Sequence, residues 1–395
     1  MKTFLQPLQN LAEMEEIQKQ AKKNRGILEI SGCMESQKAH LMYGLSGLFP
    51  CHLVIAADEK SAKELYEDYR FYDKRVYYYP AKDLLFFQAD IHGNLLIRQR
   101  MQVIRALLER EDEITVVTSI DGCMDYLAPL EKIEKQLIHF RNDSTLDMDK
   151  LTAALVHMGY ERVGQVEMPG QLSIRGGIID IYSLTEENPW RIELWGDEID
   201  SIRSFDAQSQ RSLENLDDVT IYPAAEQPME KNGVSFLDYF KETETLFFLD
   251  ELNHLEENAK AVQEEFQQSC ENRKEKGEIS LSGDWMCTWE ELCHKINDRN
   301  CVAMSLLDPK KSNWKISGQF NITVKSMSSY QSSFELLVKD LKQYKKEGYQ
   351  IVLLSGSRTR AERLAKDLQE EGLNAFYGQD SDRILQPGEI MVAYG

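Results

Sequence analysis

In the first 120 residues the apolar positions follow two alternating patterns. Short strand-like runs stand at 26–30, 52–57, 75–79 and 114–118. Between them, apolar side chains recur every three or four residues, the spacing of a helix with one buried side. The clearest case holds Ile97, Met101, Ile104 and Leu108 on one side. This order predicts a parallel sheet with helices on both faces. The same rhythm returns at 245–251, an apolar strand that ends in Asp250 and Glu251. The helix after it sets Leu252, Leu255, Ala259, Val262 and Phe266 along one seam. Helices at 334–347 and 357–371 then alternate with strands at 350–355 and 390–394, while 277–330 shows no clear pattern.

Between these halves the period changes to two. A helix at 148–158 leads into a strand-rich stretch. From Trp190 to Trp195, Ile192 and Leu194 share one face, and Arg191, Glu193 and Trp195 share the other. Gly196-Asp197 can turn the chain into the next strand, 198–205. Upstream, Ile174 is apolar at an even position, but Ile179 and Ile181 are apolar at odd ones. A one-residue insertion at Gly176-Gly177 would reconcile them, and it leaves Arg175 on the outer face with Arg191, Glu193 and Trp195. Two arginines and a tryptophan have the composition of a protein-binding patch, although an ordinary solvated sheet face is also compatible with the spacing. The pattern predicts an α/β frame in two parts, 1–125 and 223–395, with an α+β domain inserted at 126–222. A polar stretch marked by proline and glycine, 227–235, reads as a linker.

The turn after the first strand carries the candidate chemistry. A phosphate loop needs G-x-x-x-x-G-K-[ST], with glycines for close backbone approach, a lysine for the phosphates and a hydroxyl for magnesium. Here Gly32 and Lys38 keep their positions, Gln37 replaces the second glycine, and Ala39 removes the metal ligand. Glu35 adds a negative charge inside the loop. Each change opposes nucleotide binding, so the site reads as degenerate, with no cofactor, no metal and no catalytic residue in this chain. Asp250 and Glu251, without a phosphate loop to serve, read as acids complementing the dipole of the following helix. Ser355-Gly356-Ser357 before a helix is only a weak anion-site signal.

Composition narrows the partners. With 46 basic and 66 acidic residues the net charge is −20, which opposes broad electrostatic binding to nucleic acid but leaves room for local basic spots. No segment has the length of a membrane span and the first residues lack the apolar core of a signal peptide, so a cytoplasmic protein is expected. The seven cysteines are scattered as reduced thiols would be, and the spacing of Cys287, Cys293, His294 and Cys301 matches no zinc pair.

One string is more specific than any of this. Tyr160-Glu161-Arg162, Pro169-Gly170, Ile174-Arg175-Gly176-Gly177-Ile178-Ile179-Asp180-Ile181, Arg191-Ile192-Glu193-Leu194-Trp195-Gly196-Asp197-Glu198-Ile199, Phe205-Asp206 and Gln210-Arg211-Ser212-Leu213 follow one another over about sixty residues. Together they resemble the domain shared by the excinuclease subunit UvrB and the bacterial transcription-repair coupling factors (Mfd). In both families that domain contacts the damage-recognition ATPase UvrA. The resemblance implies UvrA contacts at Arg175, Arg191 and Trp195, with Glu193 on the same face; Trp195 stands where a phenylalanine is usual. Tyr79-Pro80-Ala81-Lys82-Asp83, with Arg98 and Arg100, is similar to the opening domain of the coupling factors.

The fold so implied is a degenerate P-loop NTPase, helicase-like in its parallel sheet, with an inserted α+β UvrA-interaction domain. The chain stops directly after strand residues, which predicts the N-terminal third or so of a longer protein. Downstream modules would then supply ATP- and magnesium-dependent DNA translocation and contact with RNA polymerase. The alternative is a UvrB-like ATP-dependent DNA-loading protein, which needs an intact phosphate loop and an aromatic hairpin for threading DNA.

Overall fold

The computed structural model describes residues 2–394 apart from 24, 83–93, 112, 227–232, 277–285, 308–313, 326, 328–329, 331–332 and 379–382. Asp83, most of the expected linker and the first part of the unpatterned stretch lie outside the described residues.

Helices α1 (Lys2–Gln9) and α2 (Met14–Lys23) lead into β1 (Gly26–Ser31). Then come α3 (Glu35–Ser46), β2 (Cys51–Ala56), α4 (Glu59–Tyr72), β3 (Val76–Tyr79), α5 (Asn94–Glu109) and β4 (Ile114–Ser119). The inserted region contributes α6 (Met148–His157), β5 (Glu161–Arg162), β6 (Gln171–Arg175), β7 (Ile178–Ile181), β8 (Trp190–Trp195), β9 (Glu198–Phe205) and β10 (Ser212–Leu216). The frame resumes with β11 (Thr245–Asp250), α7 (Leu252–Glu275), α8 (Trp289–Asn297), β12 (Asn300–Ser305) and β13 (Ile316–Asn321).

Strands from both ends of the insertion form one seven-stranded sheet in the order β13–β1–β12–β11–β2–β4–β3, parallel throughout. Its strands other than the edge strand β13 are largely apolar because helices cover both faces. Leu53, Ile55, Phe247 and Leu249 enter one layer of the core, while Val54, Leu246 and Phe248 enter the other. Helix starts are written locally: the Asp58 carboxylate accepts from Ser61 N at 2.8 Å, and Asp147 accepts from Lys150 N at 3.2 Å.

Beyond the frame, α9 (Phe334–Lys346), β14 (Ile351–Ser355), α10 (Arg358–Glu370), β15 (Ala375–Tyr377) and β16 (Ile390–Tyr394) follow. The second part of the frame is expected to run to residue 395, but the described strands after 350 pair only with one another, in the order β14–β16–β15. They enclose a small core of their own, and Phe4 from α1 packs with Leu385, Met391 and Ala393 on its other side. The Ser357 hydroxyl accepts from Arg360 N at 3.4 Å, so this turn caps its own helix.

The inserted sheet runs β10–β9–β8–β7–β6–β5, antiparallel except for the β5–β6 pair. Leu151 and Leu155 of α6 pack with Leu172, Ile179, Ile192 and Ile202 in one core. The parity break has a simpler cause than an inserted residue. Ile174 pairs directly with Ile179 across a two-residue turn at Gly176-Gly177, and Gly176 is left-handed at φ 59°. A two-residue turn pairs even positions with odd ones, which is the same parity change that an insertion makes. Arg175 therefore lies on the outer face, at the end of a strand and not inside a bulged one.

Helix α5 mounts the insertion on the frame. Arg100 is fully buried and donates to Pro80 O at 2.9 Å and Asp125 Oδ2 at 3.0 Å, with its guanidinium 4.2 Å from the Tyr79 ring centre. Its other partner is Glu226, which also pairs with Lys82. One turn on, Arg105 pairs with Glu186, and Glu109 accepts the Tyr222 hydroxyl at 3.0 Å. The arginine noted at position 100 is thus an internal strut.

Candidate protein-binding face

The outer face of the inserted sheet is a ladder of charges set by strand register. Ser173, Asp180, Arg191 and Arg203 lie side by side across four strands, and Arg175, Ile178, Glu193 and Ser201 form the next row. Arg191 and Arg203 are direct cross-strand neighbours, a destabilising pairing unless each finds an acid. Each does. Arg191 donates from Nε to Asp180 Oδ1 at 2.7 Å and from Nη2 to Asp180 Oδ2 at 2.9 Å. The Asp180 carboxylate also holds the Arg191 guanidinium above its ordinary pKa. Arg203 takes both oxygens of Glu193, one from Nη1 at 3.0 Å, and Ser201 Oγ adds a bond at 3.2 Å.

The loop after β9 closes over part of this ladder. Gln210 Oε1 accepts from Arg191 at 3.0 Å, its amide reaches Ala207 O at 2.8 Å, and the buried Phe205 ring lies 4.4 Å from the guanidinium. As a result Asp180 is 1% exposed and the Arg191 side chain 15%. Register places Arg191 and Glu193 on the outer face as expected, and both are partly buried there in ion pairs within the sheet.

Arg175 and Trp195 are different. The Arg175 side chain is 52% exposed and makes one bond to this network, Nη2 to Asp180 Oδ2 at 3.1 Å. Trp195 is 84% exposed at the closing pair of the β8–β9 hairpin, whose turn uses Gly196 at φ 64°. Close by, the Gly176-Gly177 turn packs under β8: Leu194 N donates to Gly177 O at 2.8 Å, and a Cβ on Gly177 would sit 3.0 Å from Leu194 O. A tryptophan this exposed forgoes a large apolar burial that the fold could have used. Met168 and Leu213, also in the inserted region, are exposed as well.

At the frame, the loop after β1 is filled by its own chain. Gly32 is left-handed at φ 81°, and a Cβ there would lie 2.0 Å from Ile322 O, whose residue donates back to Ser31 O at 2.9 Å. Lys38 is buried, and its amine reaches Asp250 Oδ1 at 2.5 Å and Glu251 Oε1 at 2.8 Å. Burial disfavours the charged amine, yet these carboxylates outweigh it and raise the Lys38 pKa. Asp250 and Glu251 therefore grip a lysine at the start of α7, where Glu251 sits left-handed at φ 53° with no side-chain cap bond. Ala39 is buried, and Gln37 Oε1 is shielded without a hydrogen-bond partner. Among the described residues, no three His, Cys, Asp or Glu side chains gather as a metal site, and no helix is long and apolar enough to cross a membrane.

Spacing alone does not single out Asp180, Phe205 or Gln210. A signal for the first existed: an acid inside Ile178-Ile179-Asp180-Ile181 must find a cation if that strand is buried.

Residues 138–226 match the family described as UvrB interaction domain. The chain is 28% identical to the transcription-repair-coupling factor of Bacillus subtilis, over 93% of this chain and 37% of that protein. The coupling factor of Staphylococcus haemolyticus is 24% identical over 81% of the chain and 32% of its own length. That of Staphylococcus aureus reaches 34% identity over 164 residues, 42% of the chain. The chain thus spans about a third of the length of the first two relatives.

Proposed function

We propose that this chain, which carries a UvrB interaction domain and is similar along most of its length to transcription-repair-coupling factors, is a recruitment module for nucleotide excision repair. The inserted domain docks UvrA, and the frame is a mount that does not itself turn over nucleotide. In the longer protein, regions outside this chain would contact RNA polymerase and run ATP- and magnesium-dependent translocation on DNA. The excision machinery would thereby reach a stalled polymerase in the cytoplasm.

The observation that carries this reading is Trp195, 84% exposed in the same sheet as the half-exposed Arg175, within a domain of that family. Exposed tryptophan and arginine anchors are the residues most often responsible for interface affinity. Purified UvrA titrated against the chain should bind, and Trp195→Ala should weaken binding about thirtyfold, roughly 2 kcal/mol. The melting temperature should hardly move, because the indole packs against little. Wild-type affinity in that variant would remove the main support for the assignment.

A UvrB-like DNA-loading protein is the competing reading, favoured by the retained Gly32 and Lys38 in a parallel α/β sheet. Against it stand the Ile322 backbone at Gly32, the lysine held by two carboxylates, and Ala39 in place of a magnesium-binding hydroxyl.

A further inference from the structure

We infer that Asp180 is the positioning residue of the docking face: it locks Arg191 and orients Arg175, so that Arg175 offers its free N–H groups to a carboxylate on the partner. This rests on the reading of the face as the UvrA-docking site.

The geometry is specific. Asp180 is 1% exposed and accepts three bonds, two from Arg191 and one from Arg175. The bidentate pair with Arg191 is closed off further by Gln210 and Phe205, which leaves that guanidinium little to offer outside. Among the described residues, Arg175 bonds only Asp180 Oδ2, which uses one of its five N–H donors. One acid against two arginines also leaves one positive charge uncompensated, on a chain whose net charge is −20. The chemistry that matches is a carboxylate gripped by a fork of N–H donors, next to a surface that accepts the Trp195 indole. Without Asp180 the long Arg175 side chain would have to be ordered during binding, at a cost in affinity.

The test is a coupling measurement with purified UvrA. Asp180→Asn should weaken binding about tenfold in the wild-type chain, but less than about twofold in an Arg175→Met background, since groups in one network couple. Asp180→Glu, which keeps the charge, should recover part of the affinity. Equal losses in both backgrounds would mean that Asp180 only supports the fold, and the inference would be wrong. Where Asp180→Asn does not fold, Asp180→Glu serves instead: it displaces the carboxylate and should cost affinity only while Arg175 is present. A partner-free measurement separates this inference from the docking reading. Nitrogen relaxation at Arg175 Nε should show an ordered side chain in the wild type and a mobile one in the Asp180 variant. Unchanged mobility overturns the positioning role. No UvrA binding by the wild-type chain overturns the docking assignment instead, and the relaxation result still decides how Arg175 is held.

Discussion

The carboxyl edge of the frame and the outer face of the insertion are built from the same parts and reach opposite ends. Each has one buried carboxylate, Asp250 in the first and Asp180 in the second, satisfied by a basic side chain from a neighbouring element. At the frame edge the base is Lys38, its side chain 4% exposed, and its amine makes one bond to each of two acids. Nothing of that charge is offered to a ligand. On the insertion the acid has two bases, and the second, Arg175, is 52% exposed. The difference lies in which charge is left exposed: the frame keeps its base buried, whereas the insertion leaves a second base half-exposed. The retained phosphate-loop lysine, the more familiar signal in the sequence, belongs to the closed network.

The comparison breaks most readily at Lys38. Lys38→Met leaves Asp250 and Glu251 facing each other without their cation, and loss of one partner from a buried pair costs about 3–5 kcal/mol. Chemical denaturation should show that loss, while UvrA binding by the folded fraction stays at wild-type strength. The deficit should also depend on pH. Burial and the neighbouring Glu251 already push the Asp250 carboxyl up, and the loss of Lys38 pushes it further. An acid whose folded pKa lies above its unfolded value destabilises the fold once pH exceeds that unfolded value. The variant should therefore recover part of its stability as pH falls toward the ordinary carboxylate range and Asp250 takes up a proton. A variant as stable as wild type at pH 8 would mean the triad is not closed as described.

Arg191→Ala is the next largest. If the face were plainly solvated, this change would leave stability alone; in the ladder it strips Asp180 of two of its three bonds and uncovers Phe205. A loss of about 2–3 kcal/mol is expected, since hydrogen bonds to a buried charge are the costly ones to leave unmade. Thermal melts of Arg191→Ala and Arg175→Ala side by side make the contrast sharp, because Arg175→Ala should stay within about 0.5 kcal/mol of wild type. Equal melts would return both arginines to an ordinary exposed face.

What the sequence made legible here follows from range. The α/β alternation, the hairpin at Gly196-Asp197 and the face shared by Arg191, Glu193 and Trp195 depend on neighbours a few positions apart, and they appear in the structure. The ion pairs did not show because Lys38 meets residues 212 and 213 positions away, and Arg100 meets Glu226 at 126. The cover over Arg191 was also hidden: Gln210 arrives through a left-handed turn, φ 58°, and irregular turns leave no hydrophobic period. The period of two correctly separates the faces of a sheet, yet it cannot tell an outer face that meets water from one that meets a loop. Asp180, an acid among isoleucines, was the single local hint of the second case.

The smallest effect expected is none at all, and it tests the frame side of the comparison. A ligand that binds only the folded chain raises its stability by about 2.7 kcal/mol at a hundred times its dissociation constant. A phosphate loop gains that energy from backbone N–H groups around a bare glycine turn, a lysine free to reach the phosphates and a hydroxyl on magnesium. Here the turn at Gly32 is backed by Ile322 O, the lysine amine is held at 2.5 and 2.8 Å by two carboxylates, and the hydroxyl position is Ala39. Mg-ATP would have to displace Asp250 and Glu251 from Lys38 while adding its own negative charge beside them and Glu35. Millimolar Mg-ATP should therefore leave the melting temperature unchanged and give no saturable heat in a titration. A reproducible upward shift that vanishes in Lys38→Met would show that the lysine can leave its acids for phosphate. The closed network would then be a resting state of a nucleotide site, and the distinction between the two regions would be one of occupancy, not of architecture.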